Sequence, residues 1–112
     1  MTNAGEVTII RLPLEKLDLS TSGEFKRLLA PVIQARKQVV LDMEGVNFVD
    51  SSGLGAILSI LRELSAVGGD LRLCRIQKRV RGMFEMVRMH RILGIYDTPE
   101  AALDSFTSSP QP

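Results

Sequence analysis

Three short polar residues, Asp50, Ser51 and Ser52, stand in a row between an apolar stretch and an amphipathic one. Gly53 and Gly55 follow, although glycine in the first turn of a helix lowers its stability relative to alanine. A helix that begins here would have unpaired backbone amides and the positive end of its dipole beside these side chains. Such an end favours the binding of an anion, or of a phosphate group carried by a serine.

The same residues also have a simpler interpretation. Asp50 or Ser51 could serve only as the N-cap of the helix, an interaction worth about 1 kcal/mol. Capping needs one short polar residue, whereas this segment supplies three. Glycines at positions 53 and 55 would also let another backbone approach closely, as at a docking surface. Capping and phosphate chemistry therefore remain alternatives on the residues alone.

Known enzyme motifs are absent from the rest of the sequence. It contains neither a Gly-x-x-x-x-Gly-Lys loop nor a Gly-x-Ser-x-Gly elbow. His90, the single histidine, is far along the chain from the serines, so the spacing does not support a Ser-His-Asp triad. Cys74, the single cysteine, has Leu73 and Ile76 nearby, which predicts a buried, inert thiol. We therefore expect no catalytic residue, no metal and no cofactor.

Composition predicts one ordinary globular domain. Of 112 residues, 45% are hydrophobic and 24% charged, and the formal net charge of +1 gives no general attraction to nucleic acid or membranes. The sequence shows no signal peptide and no run near the ~20 apolar residues that cross a bilayer. We expect a cytoplasmic protein with a leader at 1–6, a folded domain at 7–106 and a flexible tail at 107–112.

Apolar periodicity predicts that strands and helices alternate along the chain. The helix after Ser52 has the cleanest pattern, and Gly68-Gly69 ends it. Alternation implies a single α/β domain with a mixed, mostly parallel sheet of four to five strands and about four helices. The predicted strands are at 7–12, 15–19, 38–43, 70–76 and 93–96. The predicted helices begin after a cap at Thr21, after a cap at Asp50 or Ser51 and after a cap at Thr98, with a further helix at 78–89.

Local signals refine three of these helices. Thr21-Ser22-Gly23-Glu24 matches a capping box, and Pro31 predicts a kink or a separate last turn in the helix that follows. Thr98 and Pro99 predict the N-cap and first residue of the last helix. The 78–89 helix is expected to bury one face, formed by Val80, Met83, Phe84 and Val87.

The segment from Val46 to Gly55, Val-Asn-Phe-Val-Asp-Ser-Ser-Gly-Leu-Gly, resembles the signature of STAS-domain anti-sigma factor antagonists. The similarity covers roughly residues 7–104 and is tightest from Val39 onward. In that family, an anti-sigma factor with serine kinase activity phosphorylates the serine directly after the aspartate. The resemblance therefore implies Ser51 as the acceptor, with Ser52 as a possible substitute.

The resemblance also implies a partner switch. The unmodified domain would bind the kinase and free its sigma factor, and a regulatory serine phosphatase would reset the phosphorylated form. The domain, expected as a monomer or weak homodimer, would be the kinase's substrate and not an enzyme. Leu17-Asp18 is similar to a family element whose aspartate lies near the acceptor. The implied partner surface consists of Asp18, Asp50, Ser51, Ser52, Gly53, Leu54 and Gly55.

Two other functions remain open. Residues 72–91 contain seven of the 14 Lys and Arg residues against one acid, Glu85, which would suit nucleic acid. We expect a solvated helix face instead, because no aromatic residues interleave with these cations to stack bases. STAS domains also serve as non-switching subunits of transporters and signalling complexes.

Overall fold

The structure, a computed structural model, describes residues 7–35 and 37–107. The predicted leader at 1–6 lies outside these ranges, as does the predicted tail apart from Thr107. The elements are β1 (Val7–Arg11), β2 (Lys16–Leu17), α1 (Ser22–Gln34), β3 (Gln38–Asp42), β4 (Phe48–Val49), α2 (Ser51–Ala66), β5 (Asp70–Cys74), α3 (Lys78–Met86), a 3₁₀ helix (Met89–Arg91), β6 (Gly94–Tyr96) and α4 (Pro99–Thr107).

The main sheet has four strands in the order β1-β3-β5-β6, and each neighbouring pair is parallel. The apolar run predicted to be covered on both faces, Val39 to Leu41, lies in β3 between β1 and β5 and is fully buried. The predicted α/β class, with a mostly parallel sheet and four helices, is confirmed.

A second sheet of two strands supports the Asp50–Ser51 segment. β2 pairs in parallel with β4, so that Lys16 is opposite Phe48 and Leu17 is opposite Val49. The sequence predicted β2 but not β4, because two residues are too few to show a period of two. Both strands end at the same edge, where Asp18 follows one and Asp50 follows the other.

Apolar clusters cover both faces of the main sheet. The larger cluster packs β3 and β5 against α1, α2 and α3, with Phe25, Ile57 and Phe84 buried at its centre. The smaller cluster joins Val7, Val40 and Cys74 to Ala102 of α4. No helix in the part of the chain that the structure describes is long and apolar enough to cross a membrane.

Helix α1 begins where it was predicted to, after Thr21, but the predicted capping box is wrong. Thr21 has near-helical backbone angles and makes no side-chain cap. Its Oγ1 instead accepts from the Asp18 amide at 3.0 Å and donates to the Lys16 carbonyl at 3.0 Å. The hydroxyl is therefore used by the turn between β2 and α1. The last turn of α1 is not split off, because the helix continues through Pro31 to its end.

The predicted start of α4 and end of α2 are confirmed. Thr98 Oγ1 accepts from the Ala101 amide at 3.0 Å, and buried Pro99 is the first residue of α4. Gly68 adopts a φ of +89° just beyond α2, a conformation that residues with a Cβ rarely adopt.

Candidate functional site

Ser51 is the first residue of α2. The pairing of β2 with β4 fixes the backbone that leads into it. Val49 and Leu17, which lie opposite each other, are buried. The amide of Asp50 donates to the Leu17 carbonyl at 3.3 Å, which extends the pairing by one residue. The Ser51 side chain is exposed at the end of this anchored backbone.

Asp50 is the residue that caps α2. Its backbone is extended, and its Oδ1 accepts from the Gly53 amide at 3.0 Å. The Ser51 hydroxyl makes no hydrogen bond within residues 7–35 and 37–107, and the first turn of α2 contains no acid. Capping therefore accounts for Asp50 and leaves the hydroxyl of Ser51 available. Ser52, its neighbour, is half-buried.

Gly53 and Leu54 require a correction, because both are buried. A Cβ on Gly53 would overlap the carbonyl oxygen of Leu17 and lie 3.0 Å from Cγ1 of Val49. The backbone that approaches Gly53 is thus the chain's own β2, not a partner. Leu54 is only 6% exposed and belongs to the core, so very little of its side chain is accessible to a partner.

Gly55 is exposed, and a Cβ there would meet nothing within 4 Å. It borders a shallow groove of about 260 Å³ that runs from Ser51 towards the segment after α3. The groove is mostly apolar, lined by Ser51, Leu54, Gly55, Leu58, Val87 and Met89. The far wall of the groove was not predicted, because the helical period places Val87 on the buried face of α3. Val87 lies just past the end of that helix and is 52% exposed.

Asp18 carries a charged carboxylate at the edge where β2 and β4 end. Its Oδ1 accepts from the Ser20 hydroxyl at 2.7 Å and from the Ser20 amide at 2.9 Å, and Lys16 Nζ lies 3.8 Å from its Oδ2. The hydrogen bond from the Ser20 hydroxyl is the largest cause that lowers the pKa of Asp18 below its ordinary value. Asp18 therefore stays ionised at neutral pH.

Ser20→Ala should raise the pKa of Asp18 towards its ordinary value, because the carboxylate loses its strongest donor. An NMR titration of the Asp18 carboxyl carbon would measure the change. Ser22→Ala is the matched control, since the Ser22 hydroxyl donates to the Leu19 carbonyl and not to Asp18. An equal pKa in the Ser20 variant and the wild type would contradict the assignment.

Cys74 is buried in β5, as predicted, and burial raises the pKa of its thiol to about 11, with a further contribution from Asp42. The thiolate needed for reaction is scarce at neutral pH. We expect iodoacetamide to leave the native protein unmodified at pH 8 and to alkylate it fully in urea. Rapid alkylation of the folded protein, followed by mass spectrometry, would contradict this.

Three of the seven cations in the 72–91 segment are bound within the fold. Arg72 stacks on Phe106 at 3.8 Å, Arg75 Nε lies 3.6 Å from Asp42, and Arg81 Nε lies 3.6 Å from Glu85. The other four are exposed and have no ion-pair partner in the described ranges: Lys78, Arg79, Arg88 and Arg91. Only about half of the cations predicted for a nucleic-acid surface are therefore available to bind it. His90 is exposed on the 3₁₀ helix.

A family model for the STAS domain matches residues 1–102. The chain belongs to the STAS domain family. The resemblance seen in the Val46–Gly55 segment is thereby confirmed, and the exposed Ser51 at the start of α2 lies within the match.

One curated relative and two solved structures of SpoIIAA show what this STAS domain is similar to. The chain is 34% identical over 99 residues to the anti-sigma F factor antagonist of Paenibacillus polymyxa, covering 87% of this chain and 84% of that protein. The solved structure of the anti-sigma factor antagonist SpoIIAA in its unphosphorylated form has a TM-score of 0.74 at 27% identity, covering 95% and 92% of the two chains. The Bacillus cell fate determinant SpoIIAA in its phosphorylated form has a TM-score of 0.66 at 27% identity, covering 90% and 91%.

Proposed function

We propose that this STAS domain is an anti-sigma factor antagonist whose binding to a serine-kinase anti-sigma factor is switched off by phosphorylation of Ser51. One observation carries the proposal: the Ser51 hydroxyl is exposed at the amino end of α2 and makes no hydrogen bond to any residue that the structure describes, while Asp50 performs the capping. The antagonist role of the Paenibacillus relative and of SpoIIAA supports it.

Electrostatics explains how one phosphate can act as a switch. Phosphorylation adds about −1.5 to −2 charges, which the amino end of α2 accommodates without unfolding because its dipole favours anions. Asp50 and Asp18 already place negative charge at this edge. The added phosphate makes the surface bulky and strongly negative, so a partner surface fitted to a neutral hydroxyl is repelled.

The exposure of the two serines favours Ser51 over Ser52 as acceptor. A kinase must bring the hydroxyl into its own active site, and only Ser51 is exposed, whereas Ser52 is half-buried. The domain acts as the substrate in this scheme and needs no cofactor of its own. A regulatory serine phosphatase returns it to the binding form.

Phosphorylation by purified serine-kinase anti-sigma factors with Mg-ATP, mapped by peptide mass spectrometry, tests the proposal. The phosphate should be found on Ser51 in the wild type and in Ser52→Ala, and be absent from Ser51→Ala. Phosphate confined to Ser52, or no phosphorylation by any kinase of this class, would overturn it.

A further inference from the structure

Helix α3 borders the Ser51 site on two sides. The segment after its end supplies Val87 and Met89 to the groove that begins at Ser51. The helix itself supplies Arg79 and Met83 to a smaller hollow, of about 120 Å³, against β4. Because β4 leads directly into Asp50 and Ser51, a partner that covers the serine and both hollows also contacts α3.

Each of these hollows has an exposed apolar side chain in its lining, Val87 in the groove and Phe48 in the smaller hollow, and Met86 precedes Val87 in the chain. Phe48 is 51% exposed, Val87 is 52% exposed and Met86 is 81% exposed. A cluster of exposed apolar side chains marks an interaction surface more often than scattered ones do. Here Val87 lines the same groove as Ser51, and Phe48 lies in β4, which leads to it, so the expected occupant is the protein that acts on Ser51.

The positive charges in the first turn of α3 destabilise this helix. Lys78 and Arg79 stand in the first turn, at the positive end of the dipole, where cations are unfavourable. No acid is found in that turn, and Gln77 makes no side-chain cap. Neither cation has an ion-pair partner within residues 7–35 and 37–107.

Arg88 has a backbone conformation that is unfavourable for a residue with a side chain. It has a φ of 64°, a left-handed conformation in the position just past a helix where glycine is usual. It stands between Val87 and Met89, the two groove residues, and it also lacks an ion-pair partner in the described chain. Residues that lower local stability without a compensating contact inside the fold are expected where a surface serves binding.

We propose that α3 and the two residues just after it, Val87 and Arg88, select the partner. On the face that meets Ser51, the anti-sigma factor carries an apolar side chain that enters the groove beside Val87, with carboxylates that face Lys78, Arg79 and Arg88. This inference rests on the function proposed above and specifies the chemistry of the partner's contact face. The opposite charges speed association, and the apolar anchor slows dissociation.

The experiment uses the kinase that phosphorylates Ser51, immobilised with ADP, and measures association and dissociation rates of the unmodified domain. Lys78→Glu/Arg79→Glu should lower the association rate about 10-fold at low salt, and the difference should shrink as salt screens the charges. Arg62→Glu is the matched control. Arg62 is exposed, has no ion-pair partner among the described residues, and lies about 16 Å along α2 from Ser51.

Two further variants separate recognition from folding. Arg88→Gly should raise the melting temperature, because glycine relieves the left-handed backbone, and yet slow association. Val87→Ser should mainly speed dissociation. The charge reversal in the first turn of α3 should leave the melting temperature equal or higher, so slower binding cannot be ascribed to unfolding.

The outcomes distinguish the two proposals. If the kinase phosphorylates Ser51 but the charge reversal associates at the wild-type rate, or Arg62→Glu slows association equally, the role of α3 is refuted and the Ser51 switch stands. If no anti-sigma kinase phosphorylates Ser51, both proposals fail.

Discussion

Ser51→Ala should bind the anti-sigma factor with the same affinity before and after incubation with kinase and ATP, whereas phosphorylation should weaken binding of the wild type about 100-fold or more. The alanine variant lacks only the Ser51 hydroxyl, which makes no hydrogen bond in the described chain. Its loss therefore changes the contact with the anti-sigma factor little. A phosphate beside Asp50 costs several kcal/mol against a surface fitted to a neutral residue, and 2.7 kcal/mol corresponds to about 100-fold.

Ser51→Asp should bind with intermediate affinity, roughly tenfold weaker than the wild type. Its carboxylate carries one charge on a short side chain, whereas the phosphate carries about −1.5 to −2 charges and three acceptor oxygens. The amino end of α2 stabilises either anion, so both forms stay folded. The difference in affinity between the aspartate variant and the phosphoprotein therefore reports charge and bulk at the contact.

Isothermal titration calorimetry of each variant, with and without prior phosphorylation, measures these affinities. Ser59→Ala is the matched control, because Ser59 lies further along the same helix and its hydroxyl already donates to Glu63 at 3.3 Å. Equal binding by the wild type, the phosphorylated wild type and Ser51→Asp would remove the basis for a switch at this serine.

Elements whose signals are local were predictable from the sequence. The apolar period of α2, the buried run in β3 and the Thr98-Pro99 start of α4 each depend on residues within a few positions of one another. β4 was not predictable, because its two residues form a strand only through pairing with β2, about thirty residues earlier. The capping box predicted at Thr21 was wrong for a similar reason, since the Thr21 hydroxyl forms its hydrogen bonds within the turn after β2.

The candidate site shows the same division between local and distant causes. The order Asp50, Ser51, Ser52 predicted a helix start with a polar tip, and the structure assigns the cap to Asp50. The two glycines behind it look equivalent in the sequence, yet Gly53 is buried and Gly55 is exposed. The difference arises from Leu17, which only the β2–β4 pairing brings against α2.

Gly53→Ala should therefore destabilise the domain by about 2 kcal/mol, while Gly55→Ala should stabilise it by about 0.5–1 kcal/mol. Alanine is the better helix former at both positions by up to about 1 kcal/mol. At Gly53 the new methyl group overlaps the Leu17 carbonyl, which belongs to backbone and cannot rotate away, and overpacking of this kind costs about 1–3 kcal/mol or more. At Gly55 the methyl group enters open space.

Urea denaturation followed by circular dichroism gives both free energies of unfolding, provided that the slope m is unchanged between variants. Opposite signs for two identical substitutions in one helical turn cannot arise from helix propensity, so they isolate the contact between α2 and β2. The same contact joins the end of β2, which Asp18 follows, to the helical turn that carries Ser51, so Gly53→Ala should displace the proposed partner surface and slow phosphorylation of Ser51 even where the protein remains folded. Stabilisation by both substitutions would show that β2 does not approach the first turn of α2 closely, and Asp18 would then have no fixed place at the site.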